Sequence, residues 1–226
     1  MNSFQTRQPA IASQFLLDPD VAFFNHGSFG ACPRPVFDEY QRWQRELERQ
    51  PVDFIQRQRP DLTIEARQQM GAYLGTDGAN VVFVPNATYG INIAARSLRL
   101  KAGDEVLATD HEYGAVNNTW RYICNQVGAT YINQAIPMPV GDPDAFVDAL
   151  WAGVTPRTRV IAVSHITSPT ALILPVERIC QRANAEGLLT VIDGAHALGQ
   201  IDLDMTSMAP TFYTGNAHKW LCAPKG

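Results

Sequence analysis

Short strand-like runs alternate with amphipathic helical stretches along most of this 226-residue chain. One helical stretch, from Val176 to Gly187, ends in a glycine that suits a helix C-terminus. Because strands that alternate with helices are joined by parallel crossovers, the pattern predicts an α/β fold with a doubly wound, mostly parallel sheet. The strand-like runs are β-branched or aromatic and mostly apolar, and they occupy Val81–Val84, Glu105–Thr109, Thr130–Asn133, Val160–Ser164, Leu189–Asp193 and Thr211–Thr214.

Composition and charge exclude several classes of function. The chain is 46% hydrophobic and 18% charged, as in an ordinary soluble globular protein. Its net charge of −4 and the absence of a basic run with interleaved aromatics argue against a nucleic-acid partner. The amino terminus lacks a basic segment before an apolar core, and no run is apolar enough to span a bilayer. We therefore expect a cytoplasmic protein with no membrane partner.

The cysteines and one upstream helix predict structural roles only. Four widely spaced cysteines without a C-x-x-C pair indicate neither a metal site nor a disulfide framework. Upstream, apolar side chains at helical spacing predict an amphipathic helix that packs through one face. The cysteines are Cys32, Cys124, Cys180 and Cys222, and the apolar face consists of Val36, Tyr40, Trp43 and Leu47.

An acid and a lysine follow the last two predicted strands. Asp193 ends an apolar run, and a carboxylate buried there requires a cationic or hydrogen-bonding partner. Lys219 lies in the segment Gly-Asn-Ala-His-Lys-Trp after the final strand. A pyridoxal phosphate enzyme needs such a pair: the lysine forms the internal aldimine, and the acid keeps the pyridine nitrogen protonated. The alternatives are a helix N-cap for Asp193 and a solvated surface group for Lys219.

Polar residues after the other strands can be assigned to the same cofactor. Thr88 begins a helix after Val81–Val84, where free N–H groups suit a phosphate, although a plain helix cap is the alternative. Tyr113 precedes small residues and could stack on the cofactor ring, or be a core tyrosine. The hydroxyl of Ser168 could donate to the cofactor oxygen, or belong to an ordinary turn. His196, three residues after Asp193, could reach the ring from its edge.

Six ordered motifs together resemble one known family. The chain resembles the class V aminotransferase group of fold-type I pyridoxal phosphate enzymes, and within it the isopenicillin N epimerase-like branch. The resemblance covers nearly the whole chain. Its motifs lie at Phe24 to Gly30, Asn86 to Thr88, Asp110 to Val116, Ser164 to Thr170, Asp193 to Gln200, and Thr214 to Trp220.

The resemblance implies roles for individual residues. Lys219 would be the Schiff-base lysine, Asp193 the pyridinium partner and His196 an edge contact. Tyr113 would take the ring-stacking place, which is a histidine in the related cysteine desulfurases; the spacing from Tyr113 to Trp120 supports this choice over His111.

Further roles follow from the same resemblance. Ser168 stands where many relatives have an asparagine near the cofactor oxygen. The phosphate cradle would be formed by Ala87, Thr88, Asn216 and His218, and the substrate side of the pocket would be lined by Asn25 and His26.

The resemblance also implies domains and assembly. Residues 1–30 would form an amino-terminal arm on the substrate side, and residues 31–226 the cofactor-binding large domain. The family continues past the position of Gly226 into a last strand and a small carboxy-terminal domain, so the large domain is expected to be incomplete. A homodimer is expected, because sites in this family are completed by the neighbouring subunit.

Three functions are compatible with these residues. The first is a pyridoxal phosphate-dependent epimerase or aminotransferase that acts at the α-carbon of an amino acid or peptide-like amine. The second is a cysteine C–S lyase or desulfurase, which Tyr113 in place of histidine disfavours. The third is an inactive fragment that serves as a binding or dimerisation module. The cofactor residues are common to the enzymes, so the sequence leaves the substrate and the fate of the α-carbanion open.

Overall fold

The computed structural model describes residues 11–139 and 141–225. The chain divides into two compact units. The arm unit comprises Met1–Val82, Leu198–Gln200 and Ala217–Gly226, and the sheet unit comprises Phe83–Ala197 and Ile201–Asn216. Residues 1–10 of the predicted arm and Gly226 lie outside the described part of the chain, and a domain boundary after residue 30 stays a prediction.

Two long helices dominate the arm unit. Helix α1 (Arg34–Arg49) has proline before its first turn, and helix α2 (Arg59–Leu74) ends at Gly75 in the left-handed region, with φ 65°. Between them and after α2 lie a short α-helical segment at Pro51–Asp53, a π-helical turn at Phe54–Gln58 and a 3₁₀ turn at Gly78–Asn80.

The predicted packing face of α1 is only partly buried. The helix forms as predicted, and the Trp43 ring lies 6.0 Å from the ring of Phe54. No residue of α1 is fully buried, however, and Val36 and Tyr40 are 42% and 37% exposed. The periodicity therefore predicted the helix correctly, and among the described residues its apolar face packs only in part.

The sheet unit contains five parallel strands in the order β2-β1-β3-β4-β5. Five of the predicted strands are thus confirmed within a residue or two. The strands are β1 (Glu105–Thr109), β2 (Thr130–Gln134), β3 (Thr158–Ser164), β4 (Leu189–Gly194) and β5 (Phe212–Gly215). The helices of this unit are α3 (Ala87–Ser97), α4 (Gly114–Val127), α5 (Pro143–Trp151), α6 (Val176–Ala185) and α7 (Met205–Met208).

Alternate residues of the central strands point to two separate cores. Leu107, Ile161 and Ile192 belong to a buried cluster with side chains of α5 and α6. Their neighbours, such as Val106 and Val191, belong to another cluster with side chains of α3 and α4. Because both faces of the sheet are covered by helices, the strands are apolar throughout, and the predicted doubly wound α/β fold is confirmed.

The predicted strand at Val81–Val84 was wrong. This segment is extended but joins no sheet in the part of the chain that the structure describes. Val82 is 75% exposed and Phe83 53% exposed, whereas Val81 is buried, so the apolar side chains of the segment are covered only in part. Strand propensity measures fit to a half-buried pleated surface, and this segment has no such partner among the described residues. None of the described helices is long and apolar enough to cross a membrane.

The central core should be sensitive to cavities. Leu107→Ala should reduce the free energy of unfolding by about 2–5 kcal/mol, because Leu107 is fully buried between the sheet and its helices. Leu189→Ala is the matched control: Leu189 is 40% exposed at the start of β4, so a change within about 0.5 kcal/mol is expected. Urea unfolding measures both, and equal losses would contradict this description of the core.

Candidate active site

The carboxyl ends of three neighbouring strands lie level with one another. In the parallel register, Ser164 of β3 pairs with Asp193 of β4, and Asp193 pairs with Thr214 of β5. Strands β1 and β3 are neighbours although β2 and its connections lie between them in the chain, so the direction of winding reverses there. In open parallel sheets, ligands bind outside the carboxyl ends at such a reversal.

Asp193 is buried at this edge. It is 6% exposed, and its Oδ1 accepts a hydrogen bond from the Ala195 N–H at 3.0 Å. The next residue, Gly194, has no room for a side chain, because a Cβ would lie 2.2 Å from the ring of Tyr213. His196 follows in the turn after β4 and is partly exposed. The predicted acid and edge histidine therefore lie in one turn at the end of β4.

A buried histidine and a tyrosine pack beside Asp193. The Tyr213 hydroxyl lies 2.9 Å from Nδ1 of His165, and the His165 N–H donates to the Asp193 carbonyl at 2.9 Å. Burial lowers the pKa of His165 to about 4, so the ring is neutral at physiological pH. These contacts hold the end of β4 between its two neighbouring strands.

The N-terminus of α3 is fastened to the end of β5. The Ala87 N–H donates to Oδ1 of Asn216 at 2.8 Å, and Asn86 caps the helix by accepting from the Tyr89 N–H at 2.9 Å. Thr88 follows at the second helical position, where a backbone N–H has no acceptor within the helix. Ala87, Thr88 and Asn216 are therefore brought together at a helix N-terminus, which favours an anion.

The other predicted cofactor contacts of the sheet unit lie in exposed turns. Tyr113 precedes the first residue of α4 and is 48% exposed. Ser168 is exposed in the turn after β3. The neighbouring Thr167 is buried, and its hydroxyl is used within the turn, where it accepts from the Leu172 N–H at 2.9 Å. Of the hydroxyls in this turn, Thr167 is thus committed to the turn itself and Ser168 faces outward.

Glu112 is a buried acid to which the sequence assigned no role. It is 6% exposed, and its carboxylate accepts from the hydroxyls of Thr109 and Ser164, both at 2.6 Å, and from the Ser164 N–H at 2.9 Å. Burial raises the pKa of Glu112 to about 7, and the negative charge of Asp193 adds to the increase against the opposing hydrogen bonds.

The predicted lysine lies in a compact turn of the arm unit. Gly30 donates its N–H to the His218 carbonyl at 3.0 Å, and a Cβ on Gly30 would lie 2.1 Å from the Lys219 carbonyl oxygen. The Lys225 ammonium donates to the Gly30 carbonyl at 2.8 Å. Burial, and then the charges of Lys219 and Lys225, lower the pKa of His218. The backbone on either side of Lys219 is therefore held by the segment around Gly30.

Asn25 and His26 stabilise that same segment. The Asn25 side chain accepts from the Ser28 N–H at 3.3 Å, and Nδ1 of His26 accepts from the Ala31 N–H at 3.3 Å. The His26 ring lies 4.9 Å from the ring of Phe23. These contacts give both residues a structural role in the arm unit, and a role toward substrate stays a prediction.

Comparison with known families decides the family. The model of the family described as aminotransferase class-V matches residues 33–226. The chain belongs to the aminotransferase class-V family.

The curated relatives of this class-V chain include isopenicillin N epimerases and L-cysteine desulfhydrases. Over 216 residues the chain is 40% identical to isopenicillin N epimerase of Amycolatopsis lactamdurans, covering 94% of this chain and 54% of that protein. It is 35% identical over 220 residues to the putative L-cysteine desulfhydrase 1 of Oryza sativa subsp. japonica, covering 90% of this chain and 45% of that protein. The chain therefore spans about half the length of the curated relatives it matches.

A solved structure agrees with the class-V fold. C-DES, in a variant with glycine covalently linked to the PLP cofactor, superposes with a TM-score of 0.85 and is 25% identical. The match covers 95% of this chain and 57% of that chain. In another solved structure, C-DES is described as a cystine C–S lyase.

Two features of this class-V chain were missed from the sequence. Glu112 stands in a polar turn of the sequence and was given no role there, and the approach of β1 to β3 shows that it is buried. The contact of Gly30 with the Lys219 turn joins residues almost two hundred positions apart. A signal for it existed in the small residues of the Asn25 to Gly30 turn, which permit close approach of backbones.

Glu112 should make stability depend on pH. Because its pKa is raised from 4.5 to about 7 in the folded state, the folded protein binds the proton more tightly than the unfolded chain. Relative to Glu112→Gln, the wild-type free energy of unfolding should therefore fall by roughly 3 kcal/mol as pH rises from below 4.5 to above 7.

The difference in the free energy of unfolding between wild type and Glu112→Gln isolates the contribution of Glu112. His165 acts in the opposite direction, because its lowered pKa costs stability as pH falls from 6.5 toward 4, but it is present in both proteins. Urea unfolding across this range measures the difference. A constant gap between wild type and Glu112→Gln would show that Glu112 titrates normally.

Proposed function

We propose that this chain forms the cofactor-binding part of a pyridoxal phosphate-dependent enzyme acting at the α-carbon of an amino acid or peptide-like amine. One observation carries the proposal. A buried acid, Asp193, and a fastened helix N-terminus, at Ala87 and Thr88, lie at the same edge of one parallel sheet. The class-V family and the PLP cofactor in the C-DES structure support the proposal.

The residues at this edge fit the chemistry of the cofactor. The N-terminus of α3 offers the backbone N–H and the hydroxyl of Thr88 to a phosphate, and Asn216 holds that N-terminus in place through the Ala87 N–H. The Asp193 carboxylate suits a protonated pyridine nitrogen. Lys219 follows Asn216 by three residues in the chain, and His218 lies beside it.

When bound, pyridoxal phosphate supplies an electron sink for the substrate α-carbon. In the proposed mechanism, the Lys219 amine would hold the cofactor and, as a free amine, would accept the α-proton of the substrate. Asp193 would keep the proton on the ring nitrogen, and His196 would donate to the ring from its edge. Tyr113 would stack on the ring and hold its plane.

The remaining predicted contacts belong to the same proposal. Ser168 would approach the cofactor oxygen directly or through a water, because its side chain is shorter than the asparagine of many relatives. Asn25 and His26 would border the substrate. Their hydrogen bonds within the arm unit leave the Asn25 amide nitrogen and the second ring nitrogen of His26 to act on a substrate.

An isopenicillin N epimerase-like reaction is the leading assignment. At 40%, the identity to the Amycolatopsis enzyme exceeds the 35% identity to a putative L-cysteine desulfhydrase of Oryza sativa subsp. japonica. A C–S lyase is the second candidate, because C-DES has this fold and is described as a cystine C–S lyase. Sulfide release from cysteine or cystine would favour the second candidate, and inversion or amino transfer without sulfide the first.

We also propose a homodimer. The support is an incompletely covered apolar surface in the arm unit: Val36 and Tyr40 of α1 are exposed, and Phe24 and Phe29 are 88% and 65% exposed. Burial of such side chains against a second copy would remove them from water.

Asp193 should be needed for tight binding of pyridoxal phosphate. Asp193→Asn removes a charge-assisted hydrogen bond of about 1.5–3 kcal/mol, so the Kd should rise roughly 10- to 100-fold. Lys219→Ala should abolish the visible absorption band of the lysine-bound cofactor. Asp202→Asn is the control, because Asp202 is exposed on the connection after β4, and it should leave both unchanged.

Absorption titrations of the purified proteins measure the band and the Kd. A folded wild-type chain with no band would contradict the proposal and favour a non-catalytic binding or dimerisation module. Equal Kd values for wild type and Asp193→Asn would remove Asp193 from the site.

A further inference from the structure

Glu112 joins the ends of two strands through its carboxylate. Oε1 accepts from the Thr109 hydroxyl, and Oε2 accepts from both the N–H and the hydroxyl of Ser164. Thr109 is the last residue of β1 and Ser164 the last residue of β3. Glu112 therefore lies across the pair of strands where the winding reverses, which is where ligands of open parallel sheets bind.

Asp193 stands one strand away from this network. Ser164, which gives Glu112 two hydrogen bonds, is the register partner of Asp193, and adjacent strands are about 4.8 Å apart. Both acids are 6% exposed. Two carboxyl groups this close in a buried region influence each other's ionisation, because solvent screens them little.

Few other ionisable groups act on Glu112. The hydroxyl of Tyr131 on β2 donates to Asn117, and its pKa is raised first by burial and then by the charge of Glu112. His165, which directly follows β3, is kept neutral by burial. The further charged or titratable side chains on its own turn and on α4 are Asp110, His111, Tyr113, Arg121, Tyr122 and Cys124.

We propose that Glu112 is a positioning residue for Asp193, and that a proton on Glu112 is released to solvent when Asp193 takes up the protonated ring of the cofactor. The positive ring next to Asp193 favours the ionised form of Glu112, and the ionised Glu112 in turn strengthens the hold on the ring. Thr109 and Ser164 hold the Glu112 carboxylate in place. The release of a proton on binding of the cofactor ring rests on the proposed function, whereas the coupling of the two acids does not.

The coupling is tested first without cofactor. The carboxyl carbon of Glu112 is followed by NMR in ¹³C-glutamate-labelled protein and assigned by its loss in Glu112→Gln. Asp193→Asn should lower the pKa of Glu112 from about 7, and the exposed control Asp202→Asn should leave it unchanged. A pKa that Asp193→Asn does not move would overturn the inference. Circular dichroism confirms that each variant is folded.

Proton release on addition of pyridoxal phosphate is the second test. Calorimetric titrations in two buffers of different ionisation enthalpy count the protons released per chain. Near the pKa of Glu112, about 7, wild type should release up to about half a proton more than Glu112→Gln. Protons from Lys219 and the phosphate are common to both proteins and cancel. Equal release from the two proteins would overturn the inference.

Affinity gives an independent readout of the same coupling. At pH 5.5, where Glu112 is protonated, the ratio of the Kd of Glu112→Gln to the Kd of wild type should be close to one. If the ring lowers the pKa of Glu112 by about one unit, the ratio should rise to about tenfold by pH 8.5. A purely structural loss in Glu112→Gln would raise the ratio equally at every pH. A wild-type chain that binds no pyridoxal phosphate would overturn the proposed function and the proposed proton release. The NMR titration of Glu112 would still decide whether the two acids are coupled.

Discussion

The parallel register of β3, β4 and β5 is the constraint on which the sheet unit depends. It sets Ser164, Asp193 and Thr214 side by side at the carboxyl edge. A slip of one residue would turn Asp193 toward the opposite face and would exchange the cores into which Val191 and Ile192 of β4 pack. The two buried clusters on the faces of the sheet hold this register, so the position of the acid is determined by the packing of the whole unit.

Backbone contacts then place the polar groups around the acid. Asn216 accepts from the N–H of Ala87, and Gly90 allows α3 to approach Thr214, since a Cβ there would lie 2.9 Å from the threonine methyl group. In the arm unit, the same principle applies to Gly30 and the carbonyl of Lys219. In each unit, a glycine and a hydrogen bond thus hold together two segments that are distant in the chain.

Most of the sheet could be predicted from the sequence, because parallel strands covered on both faces leave a strong signal of short apolar runs between helices. Val81–Val84 has the same composition, but propensity reports only the fit to a sheet and not the presence of a partner strand. The stripe of α1 likewise predicted a helix, yet periodicity does not say what covers Val36 and Tyr40.

The sequence predicted those residues of the candidate site that lie at the end of a strand, such as Asp193, or that form an ordered motif, such as Asn216 to Lys219. Glu112 was not, since its neighbours in the chain are polar and its burial arises from β1 meeting β3. The paired effects of burial and a second carboxylate on its pKa depend on tertiary distances that a single sequence does not contain.

The most direct test of the account is to find which lysine holds the cofactor. The chain contains only three lysines, Lys101, Lys219 and Lys225, so two internal controls are built in. The purified chain is incubated with pyridoxal phosphate, reduced with borohydride, digested and mapped by mass spectrometry. The account predicts the reduced cofactor on the peptide that contains Lys219, with one cofactor per chain. A label shared with exposed Lys101 and Lys225, or absent from Lys219, would contradict it.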